Sequence, residues 1–414
     1  MDLRARPDIA EFRTEVHEFL RSNLPAGWRG IGALDAEERK RFARTWREKL
    51  VEAGLIAPAW PREFGGRGLD VVAQALVGEE FVRSGVPHYP AECDGNGFIL
   101  LAPTMLHWGT EEQKRRFLPA TLSGEIKWAQ GYSESEAGSD LFGLRTRAEL
   151  HDGNWVINGH KMWQTAGVHA NWIFVLARTD PTARKSKALS LILVPLDQEG
   201  VEVRGIKNMA GETEFAEVFF TDAVAPAGNV LGAVGDGARV ALTLLGFERG
   251  AGGLAAALSY QVELDRLAGL IGDHDLRRDP VVRQRFGECR TTVHLLRCLA
   301  MKALSAGASG RPPGAESSVF KLVTAEYRQT VTELARDVLG DDILAPSGAP
   351  AVATLGPQPR GLDPSSPAAW TADLLHARPV TVYGGSSQIQ RTTIAERVLG
   401  LPRDGGDRAE TGRN

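Results

Sequence analysis

The chain is 414 residues long, 43% hydrophobic and 24% charged, ordinary globular values for two or three domains with sizeable cores. A formal net charge of −4 gives no electrostatic reason to expect a nucleic acid or an anionic membrane as partner, and no apolar run reaches the roughly 18 residues that span a bilayer. Three cysteines, Cys93, Cys289 and Cys298, are too few and too scattered for a disulfide framework or a zinc site; with no apolar leader after Met1, this predicts a cytoplasmic protein with reduced thiols and no metal.

Ile9 to Leu24 reads as an amphipathic helix, with Ile9, Phe12, Val16, Phe19 and Leu20 on one stripe, and Pro25-Ala-Gly-Trp ends it. Asp35, with Glu38 three residues on, forms a capping box for a second helix running to about Glu52. Trp60 to Gly68 is a turn-rich loop and Val71 to Arg83 a third helix. Helical patterns resume after Gly95-Asn-Gly, and Thr110 caps a short helix before Pro119. From Trp128 the texture changes to alternating runs: Ala148–Leu150, Asn154–Ile157, Trp172–Ala177, Leu189–Val194, Val201–Val203 and Ala216–Phe220. Asp152-Gly153 and Asn158-Gly159 punctuate them as hairpin-type dipeptides. Asp222 to Gly237 reads as the crossover out of this β-domain. Arg239 to Leu267 is then a long helix despite Gly246, Gly250, Gly252 and Gly253, which lower its propensity and imply that something large lies close against it. Further helices are expected at Pro280–Ala306, Glu316–Leu339, Ala368–Arg378 and Gln388–Leu399. A Gly/Pro/Ser linker (Gly307–Ala315) and a long loop (Asp341–Pro367) separate them. Arg403 to Asn414 is polar and expected to be disordered. No Gly-x-Gly-x-x-Gly opens a helix after a strand, which counts against a Rossmann domain.

Two segments carry chemical interest. Tyr132-Ser-Glu-Ser-Glu-Ala-Gly-Ser-Asp140 concentrates small and hydroxylated residues, so its backbone N–H groups can approach an anionic or polar ring closely. Gly159-His-Lys-Met-Trp-Gln-Thr165 sets an indole and a hydroxyl two residues apart, and on an extended strand Trp163 and Thr165 face the same side. A flat heteroaromatic ring could stack on Trp163 while Thr165 donates to one of its nitrogens. Taken singly, each segment also reads as a turn followed by an ordinary strand.

Taken together, Tyr132–Asp140 and Ile157–Thr165 resemble the flavin-binding signature of the acyl-CoA dehydrogenase family. Val382-Tyr-Gly-Gly-Ser-Ser-Gln-Ile-Gln-Arg391, running on to Ile394–Gly400, resembles that family's C-terminal signature. Order and spacing fit from about residue 10 to residue 402. The resemblance implies an α+β, mainly α fold: an N-terminal helical domain (1–127), a central β-barrel-like domain binding the flavin ring (128–235), and a C-terminal four-helix bundle (236–402), with the tail at 403–414. It implies an FAD-dependent oxidoreductase that dehydrogenates an acyl-CoA across its α and β carbons, as in fatty-acid β-oxidation, and hands electrons to an electron-transfer flavoprotein. It also implies an assembly, either a homo-oligomer or a mixed tetramer with a related subunit.

Such chemistry needs a base on one face of the acyl chain and the flavin on the other, with donors to the thioester oxygen. Most members carry the base as a glutamate where this chain has Gly384, and a glycine cannot take a proton. Another branch carries it as the glutamate of a Glu-Arg pair on a helix. Phe247-Glu248-Arg249-Gly250 stands in that place, so Glu248 is the expected base, and the Gly384 N–H is left to bind the thioester oxygen. Pressed between apolar substrate and flavin, the Glu248 carboxyl would have its pKa raised by desolvation. By the same carry-over, the Tyr132 backbone and Ser133 meet the pyrimidine edge of the flavin, with Gly138 in the same loop. Trp163 packs on the ring system and Thr165 hydrogen-bonds beside it. Ser139 lies at the phosphate or pantetheine end, Ser386 and Gln388 at the adenine half of FAD, and Arg249 and Gly385 at the substrate.

Two places depart from the family pattern. Arg283-Gln-Arg-Phe-Gly287, expected to meet the FAD pyrophosphate through Arg283, follows Asp279-Pro280 instead of preceding a proline. Asp337-Val-Leu-Gly-Asp-Asp342 stands where the family has an amide and glycines, and its acidity is unfavourable beside a pyrophosphate. Two other readings stay open: a flavin-poor partner subunit, and a flavin oxidase or monooxygenase on the same fold that uses O₂.

Overall fold

The computed structural model describes residues 7–31, 34–183, 186–250, 253–311, 314–344 and 366–402. The expected tail (403–414) and most of the expected loop at 341–367 lie outside the described residues. The fold is mainly helical with a sheet domain in the middle, as expected, and the chain divides into two compact units, the second beginning at Gly253.

In the first unit come α1 (Pro7–Asn23), α2 (Ala36–Glu52), α3 (Val71–Arg83), α4 (Ala102–Trp108) and α5 (Glu111–Ser123). The capping box of α2 forms as read: Asp35 Oδ1 accepts from Glu38 N at 2.8 Å, and Glu38 Oε2 from Asp35 N at 2.9 Å. α1, α2 and α3 pack around Trp46, fully buried, whose indole lies 5.5 Å from Phe19, 5.6 Å from Phe42 and 5.9 Å from Phe81. Its Nε1 donates to Pro87 O at 2.9 Å, so the buried donor is satisfied. A π-helical stretch, Gly95–Leu101, leads into α4. Contrary to the reading that α5 stops before Pro119, the helix runs through it to Ser123. Phe117, Leu118 and Thr121 are all buried, and that packing outweighs the one backbone bond the proline removes.

The sheet contains β1 (Trp128–Gly131), β2 (Arg147–His151), β3 (Asn154–Thr165), β4 (Trp172–Arg178), β5 (Leu189–Pro195), β6 (Val201–Ile206), β7 (Phe215–Pro226) and β8 (Val230–Leu231). The path runs β6-β7-β3-β2-β4-β5-β8, with β1 joined parallel to β4. Asp152-Gly153 makes the β2–β3 hairpin with positive φ at both residues, 48° and 78°, the geometry a two-residue turn needs. Asn158-Gly159 does not turn. It lies inside β3, at a register shift against β7. The Asn158 side chain is bonded there to Asp222, Nδ2 to Oδ1 at 2.8 Å and Asp222 N to Oδ1 at 3.0 Å. The expected crossover at Asp222 is in fact the last part of β7, followed by β8. β4 and β5 are buried along nearly their whole length, which is why they read as continuous apolar runs. α6 (Gly237–Gly250) closes the unit, with Ala238, Val240, Ala241 and Leu244 on its buried stripe.

The second unit holds α7 (Gly253–Asp273), α8 (Pro280–Ala308), α9 (Ser317–Leu339), α10 (Pro367–Ala377) and α11 (Ser387–Thr393), the last continued by a π turn at Ile394–Val398. The long helix expected over Arg239–Leu267 is therefore described as α6 and α7, with Ala251 and Gly252 outside the described residues. Leu264, Leu267, Cys289, Val293, Tyr327, Val331 and Trp370 form the core of the bundle. A charged cluster threads that core. Arg328 pairs with Glu263, and the Arg266 guanidinium lies 3.3 Å from Asp373 and 4.6 Å from the centre of the Trp370 ring.

Candidate active site

β1 delivers the chain into the Tyr132–Asp140 segment. Tyr132 is buried, Ser133 half-buried, and Gly138, Ser139 and Asp140 are exposed. A tight turn closes the segment, with Glu134 N donating to Ala137 O at 3.1 Å and Ala137 N to Glu134 O at 3.2 Å. The segment is tied to β3 where Met162 N donates to Ser133 O at 3.0 Å. Beneath it lies a fully buried lysine. Lys161 Nζ donates to Tyr132 O at 3.0 Å and to Glu134 Oε1 at 2.8 Å. The Glu134 carboxylate also accepts from Thr146 N at 2.9 Å and Arg145 N at 2.7 Å. Burial pushes Lys161 down to about 8 against the pull of Glu134. Burial would raise Glu134, but Lys161 and the two backbone donors overcome it and hold the carboxyl at about 2. Both groups are charged at neutral pH.

The end of β3 carries the other edge. Met162 pairs with Glu217 and Gln164 with Ala216, so Trp163 is the extra residue of a bulge, with φ +68°. A left-handed backbone is a rare and strained setting for a bulky residue. Gln164 is buried and its Nε2 donates to Met162 O at 2.8 Å, while Trp163, 55% exposed, and Thr165 both face outward. The two-residue spacing thus holds, although a bulge rather than simple alternation produces it. Phe215 meets the Trp163 indole edge-on at 5.9 Å. Asn96, in the π-helical stretch, donates from Nδ2 to Trp128 O at 3.0 Å and to Thr165 O at 3.2 Å, and Cys93, just before that stretch, donates from Sγ to Ala166 O at 3.4 Å. An outward indole face with a hydroxyl beside it and polar backbone across from it suits a flat, polar-edged ring such as a flavin.

In the second unit, Gly384 (φ +62°) and Gly385 (φ +86°) form the turn before α11. The buried Gln390 folds back on it, Nε2 donating to Gly384 O at 3.1 Å and Gly385 O at 3.2 Å. A Cβ at Gly385 would stand 2.5 Å from that nitrogen. Ser386 caps α11, its Oγ accepting from Ile389 N at 3.3 Å, and Gln388 is exposed. Arg283 is exposed on α8. Asp337 is not a bare negative charge: Arg285 and Arg336 contact its carboxylate at 2.5 and 2.7 Å. Burial would raise its pKa, but those bonds outweigh it and lower it.

The first unit therefore gathers Tyr132, Ser133, Trp163 and Thr165, with Gly138 and Ser139 farther along the same loop. The second gathers Gly384, Gly385, Ser386 and Gln388 at the head of α11, with Arg283 on another helix. Glu248 and Arg249 fall in α6; their side chains lie outside the described part of the structure. Sequence reasoning passed over Lys161, Glu134, Asn96 and Gln390. No local signal marked Lys161 or Glu134: both lie in polar, small-residue runs, and they meet only when β3 lies against the loop.

Family models match in chain order: the N-terminal domain of acyl-CoA dehydrogenase over 6–125, the middle domain over 129–223 and the C-terminal domain over 235–399. The chain belongs to the acyl-CoA dehydrogenase family. It is 39% identical over 401 residues to acyl-CoA dehydrogenase IpdE1 of Mycobacterium tuberculosis, covering 96% of this chain and 99% of that one. It is 36% identical over 387 residues to acyl-CoA dehydrogenase FadE34 of the same organism, covering 93% of this chain and 49% of that one. Among solved structures, the Tcur3481-Tcur3483 steroid ACAD superposes with a TM-score of 0.78 at 27% identity, covering 98% of this chain and all of that one. The ChsE4-ChsE5 complex from Mycobacterium tuberculosis shares the fold, with a TM-score of 0.75 at 24% identity over 98% and 100% of the two chains.

Acyl-CoA dehydrogenases are FAD-dependent oxidoreductases, and the outward indole and hydroxyl of β3 fit a flavin. Among the described residues, no helix is long and apolar enough to cross a membrane.

Proposed function

We propose that this acyl-CoA dehydrogenase binds FAD at the Tyr132–Ser133 and Trp163–Thr165 edges and introduces a double bond between the α and β carbons of an acyl-CoA thioester. The observation that carries the reading is Trp163, held outward at a strained bulge with Thr165 on the same face. Bound there, FAD would supply the acceptor for the β-hydride. Trp163 would offer the ring a stacking face, Thr165 and Ser133 would donate to its edge, Gly138 would let the loop approach, and Ser386, Gln388 and Arg283 would serve the adenine and pyrophosphate half. Glu248 takes the α-proton, and the Gly384 N–H, which makes no backbone bond among the described residues, donates to the thioester oxygen and acidifies the α-carbon. Ser139, Arg249 and Gly385 line the path of the acyl-CoA. Reoxidation by an electron-transfer flavoprotein completes the cycle, and slow reaction of the reduced protein with O₂ separates this from an oxidase.

The test is anaerobic bleaching of the flavin against a panel of acyl-CoA thioesters, for the chain and for Glu248→Gln. The variant should keep its flavin and lose several orders of magnitude in rate. Retention of more than about a tenth of the rate, a loss under about 1.4 kcal/mol of transition-state stabilisation, overturns the assignment of the base. Within the same panel, branched or ring-bearing acyl groups are expected to outperform a four-carbon straight chain. Gly384 and Gly385 remove bulk at the expected acyl site, and the name of the steroid ACAD neighbour points the same way.

A second reading concerns assembly. Arg283 stands after Asp279-Pro280 where the family pattern has it before a proline, and Asp337 and Asp341 stand where the family has an amide and glycines; the pyrophosphate half therefore matches less well than the ring half, and the neighbour named ChsE4-ChsE5 is a complex of two chains. This favours a mixed oligomer in which a related subunit completes the FAD site. Flavin per chain and molar mass, measured together on the chain expressed alone, decide it. A stable homo-oligomer with one FAD per chain and full activity removes the need for a partner.

A further inference from the structure

Lys161 and Glu134 are not among the groups that the proposed chemistry uses, yet they form a buried, multiply bonded ionic pair. The lysine has no exposed surface and the Glu134 side chain only 9%. Together they join three stretches of chain that are not neighbours in sequence: the backbone at Tyr132, the backbone N–H groups of Arg145 and Thr146, and β3 itself. The strand comes so close to residue 146 that a Cβ on Gly159 would lie 2.5 Å from Thr146 Oγ1. Met162, whose N–H holds Ser133 O, follows Lys161 directly, and Trp163 follows Met162. Removing two charges from water is expensive, and an apolar pair of the same volume would serve stability as well or better. What the ionic pair supplies instead is direction: a fixed length and fixed lone-pair geometry between loop and strand.

We propose that the Lys161–Glu134 pair is a positioning element for the flavin edge, setting the distance between the Tyr132–Ser133 backbone and the Trp163–Thr165 face, and thereby the affinity and electronic character of the bound ring. This rests on the reading of those four residues as the flavin edge. The ionised state of both groups at neutral pH agrees with it.

The experiment compares Lys161→Met/Glu134→Gln, which leaves no uncompensated charge, with Glu134→Asp, which keeps the charges but shortens the reach by one methylene, and with Thr165→Val as a direct-contact control. Each is measured for FAD affinity of the apoprotein, for the absorption spectrum and midpoint potential of the bound flavin, and for the thermal midpoint of the apoprotein. The double variant should unfold near the parent's temperature, bind FAD at least tenfold more weakly, and show a displaced long-wavelength band and a shifted potential; Glu134→Asp should fall between it and the parent. Parent-like affinity and spectrum in the double variant, while Thr165→Val changes the spectrum, overturn this inference and leave the flavin-edge reading standing. If Thr165→Val is also without effect, both fall. If neither pair variant folds, or flavin is lost only in proportion to unfolding, the pair is a folding element and the proposal is overturned.

Discussion

Trp163 concentrates the relation between strain and use. Its left-handed backbone costs on the order of 1–3 kcal/mol for a residue with a Cβ, and its half-exposed indole recovers little of that by burial. Trp163→Gly therefore removes the strain, at about 0.5–1 kcal/mol of added chain entropy, and takes away the stacking surface. The apoprotein should keep or gain stability in denaturant while flavin per chain falls sharply. A loss of more than about 2 kcal/mol would mark the indole as ordinary core. That Trp163 and Thr165 share a face was legible from their spacing. The bulge that achieves it was not, because it exists only through pairing with Glu217 and Ala216 on β7, far away in sequence. Lys161 was illegible for a similar reason: its partners, Tyr132 O and Glu134, become neighbours only once β3 lies against the loop.

At the scale of elements, local chemistry read well and long-range packing did not. The capping box at Asp35 and the cap at Thr110 are contained within four residues, and both form. Pro119 and Asn158-Gly159 carry equally strong local signals and were overruled, one by buried neighbours and one by a bulge bound to Asp222. The turn before α11 lies between these cases, since its glycines are visible in sequence but the Gln390 amide that fixes them is not. Gly385→Ala puts a Cβ at φ +86° and 2.5 Å from Gln390 Nε2. It should displace that amide from both carbonyls, cost on the order of 1–3 kcal/mol in a denaturant titration, and raise KM for acyl-CoA as the Gly384 N–H turns away. An unchanged unfolding midpoint and KM would show that the turn tolerates the change.

For the whole molecule, the family was legible from the signatures at Tyr132–Asp140, Ile157–Thr165 and Val382–Gly400, and the family models match the chain. The electrostatic anchoring was not, and it sets the behaviour in acid. Glu134 has a folded pKa of about 2 against an ordinary 4.5, so between those values the unfolded chain binds more protons than the folded one. Its contribution to stability is complete above about pH 4.5 and is lost as pH falls through that window towards 2. Unfolding free energy measured against pH should fall more steeply there for the parent than for Lys161→Met/Glu134→Gln; parallel curves would contradict the ionised pair.

The three cysteines, too scattered for a disulfide framework or a zinc site, offer one practical handle. Burial, with Glu92 and Asp94 nearby, pushes Cys93 up to about 12, and burial pushes Cys289 up to about 11, so neither presents a thiolate at neutral pH. Cys298 is exposed on α8, four residues from His294. A maleimide dye should therefore find a single address on the native chain, seen as one adduct in the intact mass, and unfolding should release the other two thiols. The chain comes with its own fluorescence label site, from which the binding of a second subunit or of acyl-CoA can be followed without engineering a cysteine.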